Sequence, residues 1–528
     1  MEGRDQTHHP EPEDAPDISN PEVQRECLFS QEPKILEAVG LLAVRLKALP
    51  LDPNHPDLEP RALLVGGFVR DSLIGKHPKD ADIEVYGIVP ERLETVLDQL
   101  FPGKVDRVGR AFGVLKVFIE EGVDFDISIP RRESKSGVGH TGFIVESDPG
   151  MSIKEAARRR DFSFNALAAD PLTGEVFDHF GGVSDLKDGI LRATDPERFQ
   201  DDPLRVYRAI QFAARMELRA EPETFALMKS MIERGDLDEL SPERVTEEWK
   251  KLLLKSEKPS LGLEMAKDLG VIEKYYHELQ KLAACPQEPE WHPEGDVWIH
   301  TMMVIDAAAK IIKEPRRKFS EVEKLQVMLG SLCHDLGKPS TTEVQQGRVR
   351  SLAHEEAGRA PTRAMLGRLT FGEDAILAAE KIAAEHLKPG MLGIARKKEP
   401  GTAGSLDEKQ YVNAVRRLLK RLHPTSWRVL IAASEADFRG RTIPGVDRDP
   451  YEAGLLFEKT VEQHRLDIEP TAPLIRGVDI LQIAKETGTT VKPGPRFGEL
   501  IRKVESARDA GEITTREEGL ELLKNLLS

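Results

Sequence analysis

Apolar residues recur at helical spacing over Pro33 to Leu49, at Ile35, Val39, Leu42 and Leu46, and predict a helix beside the first domain. A stretch rich in Pro and Asp over 50–60 reads as a linker. The pattern then changes to strand, helix, strand. A short apolar run, Ala62 to Val65, meets Gly66 and Gly67; a helical piece from Phe68 to Ile74 is closed by Gly75; and polar and apolar residues alternate through Asp80-Ala-Asp-Ile-Glu-Val-Tyr86. Such alternation predicts a half-buried strand. Residues i and i+2 of a strand point to one face, so Asp80, Asp82 and Glu84 share a side, with Ala81, Ile83 and Val85 on the other. A helix from Pro90 to Leu100 and strands over Gly113–Glu120 and Val123–Ile129 complete a small mixed α/β domain, with Asp124 and Asp126 on one face of the last strand.

Downstream the period is helical. Ser152 to Ala169 reads as one helix. Asp201-Asp202-Pro203-Leu-Arg205-Val-Tyr-Arg208 opens another, with Asp202 as N-cap, Pro203 at the first helical position and Val206, Ile210 and Ala213 on an apolar face. Arg205 and Arg208, three apart, share a different face. Residues 220–282 are helical by periodicity, with Ser241-Pro242-Glu243-Arg244 as a start signal. A Pro-rich junction over Pro286–Pro293 sets a boundary near 290, and a mostly helical chain runs on to 528 with turns at Gly477 and over Pro493–Gly498. Glu133 to Gly142, rich in Gly and Ser, predicts a mobile loop.

Composition narrows this picture. A chain of 528 residues with 39% hydrophobic content has room for three or four ordinary cores. No apolar run reaches the roughly 18 residues of a membrane helix. The start is polar and acidic and reads as a disordered tail over 1–30, its most biased part ending near Glu22. Cys27, Cys285 and Cys333 show no paired spacing, so a disulfide framework and a zinc knuckle are both unsupported and the cytoplasm is the default setting. The net charge of −16 argues against nucleic-acid binding by bulk charge, although local patches decide contacts. Basic clusters stand at Arg131-Arg132, Arg158-Arg159-Arg160, Arg396-Lys397-Lys398 and Arg416-Arg417 with Lys420-Arg421.

Two carboxylates side by side repel each other, and a hard cation such as Mg²⁺, which takes oxygen ligands and borrows others from phosphates, relieves that. A Gly-Gly turn at a helix start suits the phosphate half of such a site. Gly66-Gly67-Phe-Val-Arg70-Asp71 followed by Lys79-Asp80-Ala-Asp82 resembles the opening motif of the tRNA nucleotidyltransferase and bacterial poly(A) polymerase family, in the form that carries an HD domain.

That resemblance implies an α+β architecture. A polymerase-beta-type nucleotidyltransferase head with a small mixed sheet spans 31–150, followed by an all-α neck and body over 151–288, an all-α HD domain over 289–445 and a helical segment over 446–528. It implies two Mg²⁺ ions on Asp80 and Asp82, spaced as in other two-metal sites, with Asp126 as third acid and Asp124 as its rival. The triphosphate falls to Gly66, Gly67, Arg70, Arg160 and Arg208, the ribose and triphosphate to Arg160 and Asp161, and the choice of C and A to Asp202 and Arg205. Asp201 stands where the family has Glu. Phe180 to Arg192 resembles the family's next motif and implies hinge and support.

The implied activity is template-independent addition of CMP and AMP to the tRNA 3′ end from CTP and ATP. A poly(A) polymerase and an enzyme restricted to CC or to A share these motifs. His300, His334-Asp335 and Asp437 follow the HD order of metal ligands, with His354 and His386 available for a second ion; the donor set suits a divalent transition metal. An HD phosphohydrolase with a head that only binds RNA, and a non-catalytic RNA-binding protein, are the readings from other classes.

Overall fold

The computed structural model describes residues 17–31, 33–107, 114–120, 123–135, 143–467, 474–509, 512–513 and 515–527. The chain forms two compact units, Met1–Glu248 and Trp249–Ser528.

The first unit is built on a seven-stranded mixed sheet. Its strands are β1 (Arg61–Val65), β2 (Ala81–Tyr86), β3 (Val105–Asp106), β4 (Val114–Glu120), β5 (Val123–Ser128), β8 (Ala168–Ala169) and β9 (Val176–Phe177), in the order β3-β4-β5-β2-β1-β8-β9. β2 pairs antiparallel with β1 and parallel with β5. One sheet face carries the main core. Ala62, Leu64, Ile83, Val85, Phe125 and Ile127 meet Ile35, Val39, Leu42 and Leu46 of the helix Pro33–Lys47 and Leu93 and Leu97 of the helix Pro90–Leu100. The other face has a smaller core of Leu63, Val65, Tyr86, Met151, Ala156 and Ala168.

Four expectations change. β2 is central rather than half-buried: apart from Asp82 every residue in it is buried, Glu84 included, because β1 and β5 flank it and both faces are covered. The helix expected over Ser152–Ala169 ends at Arg158. A 3₁₀ turn at Ser163–Asn165 follows, and Ala168–Ala169 joins β1, so pairing and the burial of Phe162 and Phe164 override local helical periodicity. From Asp17 the expected tail is ordered: Asn20 caps a helix Pro21–Phe29 through the Glu22 N–H, and Ile18 and Leu28 are buried. Residues 1–16 lie outside the described residues. At the expected mobile loop, Arg131–Lys135 (β6) pairs antiparallel with Phe143–Ser147 (β7), while 136–142 lie outside the described residues.

A helix Leu204–Met216 completes the site region, with Val206, Ile210 and Ala213 buried as its periodicity predicts.

Among the described residues the second unit is helical apart from a hairpin of Thr342–Gln345 with Arg348–Ser351. Helices Val297–Ile311, Glu321–Cys333, Glu373–Glu385 and Trp427–Gly440 carry the HD residues or end beside them. A separate small core, including Ile475, Ile480, Leu500, Val504 and Leu523, holds the last three helices together; Gly477 begins one of them, and Pro495 another, where turns were expected. Among the described residues no helix is long and apolar enough to cross a membrane.

Candidate active sites

In the first unit, register brings the acids together. Asp82 of β2 stands directly opposite Asp126 of β5, and Asp80 immediately precedes β2. Phe125, between Asp124 and Asp126, pairs with Ala81, so Asp126 and not Asp124 is level with Asp82. Lys116 on β4 lies 2.7 Å from Asp124 Oδ1 and 3.0 Å from Asp126 Oδ1. Apart from that ion-pair contact, the buried Asp126 Oδ1 receives no well-directed hydrogen bond. Asp82 reaches solvent, yet the protein mass around it raises its pKa; Arg160 opposes this, and Asp126 and Asp80 push the same way as burial. A group of facing carboxylates that offers oxygen ligands alone fits a hard divalent cation.

The glycine turn carries a cation over it. Gly66 has φ +66°, a backbone conformation that favours glycine, and a Cβ there would stand 2.7 Å from Arg160 Nη1. The Gly66 N–H itself donates to Leu167 O at 3.0 Å. Arg70 is expected at the triphosphate. It is buried, holds Asp71 through Nε and Nη2 at 2.7 Å, donates to Asn165 and lies over the Phe212 ring at 5.1 Å.

Asp161 is buried and accepts from Phe162 N–H (2.8 Å), Asn165 Nδ2 (2.9 Å) and Arg208 Nε (2.6 Å). Burial acts to raise its pKa, but Arg208 and these hydrogen bonds outweigh burial and hold the carboxyl low. Arg205 donates through Nη1 to Arg198 O (2.7 Å) and through Nη2 to Arg159 O (2.6 Å), which fixes the plane of its guanidinium. Asp202 accepts from Leu204 N–H at 3.2 Å, but the helix begins one residue later than expected, so Pro203 and not Asp202 holds the N-cap position. Its carboxylate also takes Arg244 Nη2 on both oxygens, at 3.2 and 3.1 Å.

Four side chains here escaped the sequence reading. Lys116 needs the β4–β5 register to be seen. Arg244 was read only as part of a helix start. Glu84, read as an acid of the metal face, is instead neutralised by Arg159 Nη2 at 2.8 Å and accepts from Tyr86 OH at 2.7 Å. Arg159, noted only within a basic cluster, further donates through Nη1 to Arg131 O at 2.9 Å. The buried pair thus sits two residues from Asp82, and the Arg159 carbonyl holds Arg205.

In the second unit the HD residues converge. His300 Nε2 lies 3.1 Å from Asp437 Oδ1 and 4.0 Å from Asp335 Oδ2; His334 Nε2 lies 3.1 Å from Asp335 Oδ2; His354 and His386 Nε2 lie 3.5 and 4.0 Å from Asp335 Oδ1. Among the described residues, the groups of three or more ligand-type atoms within 4.8 Å of one another are all here: His300 with His334 and Asp335, Asp335 with His354 and His386, and His292 with Glu294 and His300. The head acids form no group that tight. Three rings are oriented alike: His334, His354 and His386 each place Nδ1 at 2.7–2.9 Å from the carbonyl three residues back, which turns Nε2 inward. His334 Nε2, His354 Nε2 and both Asp335 oxygens are buried without a well-directed hydrogen bond, although Lys338 Nζ lies 2.7 Å from Asp335. Orphaned buried donor atoms of this kind fit a metal ion.

Charge follows the same geometry. Burial would raise the Asp335 and Asp437 carboxyls, but His334 and Lys338 around the first, and Arg441 and His300 around the second, hold them well below the usual range. Burial pushes His386 down to about 3. Gly337 allows the approach of the His354 turn: a Cβ there would meet His354 O at 2.0 Å. Sequence reading missed His292, in the stretch taken as a domain junction, and Glu294, directly after it. It also missed Arg441, one helical turn after Asp437 and 2.6 Å from it.

Residues 62–192 match the family described as "Poly A polymerase head domain", 218–282 that described as "Probable RNA and SrmB- binding site of polymerase A", and 297–418 the HD domain family. A multifunctional CCA protein of Stenotrophomonas maltophilia (strain K279a) is 34% identical over 443 residues, covering 83% of this chain and 97% of its own. The chain belongs to the multifunctional CCA protein family. Another multifunctional CCA protein, from Xanthomonas campestris pv. campestris (strain B100), is 38% identical over 327 residues, 61% of this chain and 74% of that one. Among solved structures, the CCA-adding enzyme of Bacillus stearothermophilus in complex with CTP aligns with a TM-score of 0.59 at 21% identity, covering 94% of this chain and 98% of that one. A CCA-adding enzyme in complex with ATP aligns at 0.57, also at 21% identity, covering 97% and 99%. These two share the fold. The mixed-sheet head and the mostly helical remainder are thus family features, as the sequence motifs implied.

Proposed function

We propose that this chain transfers CMP and AMP from CTP and ATP to the 3′ end of tRNA without a nucleic-acid template, with Asp80, Asp82 and Asp126 as its catalytic acids. The observation that carries this is the register of Asp82 with Asp126 beside the Gly66–Arg160 contact. Asp80 and Asp82 would hold Mg²⁺, with Asp126 as the third ligand, and the bound ions would lower the pKa of the terminal ribose hydroxyl and neutralise charge on the phosphates. The chain's own part is positioning and charge. Arg160, seated over Gly66, and the Gly67 turn face the triphosphate. The buried Asp161 and the half-buried Arg208 form one ion-paired unit that meets ribose and phosphate. Arg205, fixed in plane by two carbonyls, and Asp202, steered by Arg244, present donors and acceptor to the base edge; a rigid planar guanidinium suits that task. Arg70 holds the turn from below.

The division into head (31–150), neck and body (151–288), HD domain (289–445) and C-terminal helices (446–528) belongs to the same proposal, as does a cytoplasmic setting. In the HD domain, His300, His334, Asp335 and Asp437 would hold a divalent transition metal, with His354 and His386 able to serve a second, and the chemistry supplied is hydrolysis of a phosphate ester. The two activities separate by variant. Asp80→Ala and Asp82→Ala are expected to abolish nucleotide incorporation and leave metal-dependent phosphohydrolysis. His334→Ala is expected to do the reverse. Incorporation surviving in either Asp variant discards the head mechanism. A wild-type chain that never hydrolyses a phosphate ester with any divalent metal discards the HD reading.

A further inference from the structure

Of the four histidines facing the HD centre, three are oriented by the carbonyl of their own preceding turn. His300 is the exception. It lies on the first turn of the helix Val297–Ile311, and its Nδ1 meets not a carbonyl but the carboxylate of Glu294, at 2.9 Å. Glu294 is buried, 1% exposed at the side chain, and both its oxygens are engaged. Oε1 takes His300 Nδ1 and His292 Nδ1, each at 2.9 Å; Oε2 takes the N–H and Oγ1 of Thr442, at 3.1 and 3.2 Å. Thr442 follows Arg441, which in turn grips Asp437. One carboxylate therefore ties the first ligand of the set to the segment that anchors the last, 137 residues further on.

We propose that Glu294 is the positioning residue that presets His300 as a metal ligand, an inference that rests on the HD reading above. A carboxylate only accepts, so the His300 Nδ1 must carry the hydrogen and the lone pair of the neutral ring is left on Nε2. Nε2 is the atom that faces Asp437 and Asp335. The carbonyl three residues back, Val297 O, instead accepts the Thr301 hydroxyl at 2.7 Å. Outer carboxylates of this kind typically change metal affinity 10–100-fold when lost. His292 shares the carboxylate but its ring stands edge-on to His300 at 4.6 Å and lies in none of the groups that contain Asp335. Its removal leaves the His300 bond in place.

The test uses the full chain, freed of metal with a chelator, in an Asp82→Ala background so that the head acids do not contribute. Mn²⁺ or Ni²⁺ alone is titrated by calorimetry. Glu294→Gln keeps the size but offers one acceptor oxygen and presents an NH₂ to Thr442. It is expected to bind 10–100-fold more weakly than its parent, while His292→Ala stays within about threefold. Equal affinity of Glu294→Gln and its parent overturns the inference, as does an equal loss in His292→Ala. A parent that binds neither metal overturns the HD reading itself. Should Glu294→Gln fail to fold, a crystal structure of the unsubstituted chain soaked with Mn²⁺ decides. Ligation through His300 Nε2 with Nδ1 on Glu294 supports the inference, and ligation through Nδ1, or a Glu294 turned away, refutes it.

Discussion

Arg159→Ala is the perturbation whose consequence can be worked furthest from the structure. The Arg159 side chain is 25% exposed and its partner Glu84 is 3% exposed. Its loss leaves Glu84 buried with Tyr86 OH at 2.7 Å and, at 3.9 Å, Arg160 as remaining partners. Breaking a buried ion pair by removing one member costs about 3–5 kcal/mol, because an uncompensated charge stays behind. A quarter-exposed guanidinium puts this case at the lower end, about 3 kcal/mol. For a folding unit of this size, 1 kcal/mol corresponds to roughly 2–4 °C, so the melting transition of the first unit falls by about 6–12 °C. The same side chain anchors the residue whose carbonyl holds Arg205, so CMP incorporation is also expected to drop, on the order of tenfold, the value of one charge-assisted hydrogen bond. Scanning calorimetry of the metal-free chain and initial rates with CTP are the assays. Glu84→Gln combined with Arg159→Ala should recover part of the stability, since no buried charge is then unpaired. A single Arg159→Ala chain that melts within about 2 °C of its parent and incorporates CMP normally would refute the coupling.

Other outcomes follow from the same geometry. Asp82 has its pKa raised first by burial, so the folded state holds its proton more tightly than the unfolded state. The stability this lends is present below the unfolded value and is lost as pH rises through the folded one. Asp82→Asn should therefore raise the metal-free melting temperature at pH 7 and flatten that decline, while abolishing transfer. His386, pushed down to about 3, works oppositely: stability falls as pH drops below about 6.5, and His386→Asn should lessen that fall in acid melts. Asp202→Ala should keep some turnover but blur the choice of C and A over U and G. Arg244→Ala should blur it less, since Asp202 keeps its bond to the Leu204 N–H. Incorporation ratios for the four nucleotides measure both.

Much of this was legible because it is local. The helices at Pro33–Lys47 and Pro90–Leu100 follow from period alone, and Asp80, Asp82, Asp202 and the HD ligands stand in short motifs. What was illegible depends on who the neighbour is. Glu84 alternates with Asp82 as a surface acid does, and nothing in 80–86 says that β5 and Arg159 close over it. Ser152–Ala169 has helical spacing throughout, yet Ala168 is claimed by β1. Arg70 sits in the glycine-rich motif as a phosphate ligand would, and only the fold reveals Asp71, Asn165 and Phe212 around it. Glu294 directly follows the prolines that mark a junction, and its value comes from His300 and from Thr442, 148 residues away.

Nucleotide addition to a tRNA that ends before CCA, with each nucleotide offered alone and together, bears most directly on the central proposal. The account predicts two residues added from CTP alone, none from ATP alone, three and no more from both, and no product from Asp82→Ala under any condition. A ladder of products from ATP alone, or full addition by Asp82→Ala, would contradict it.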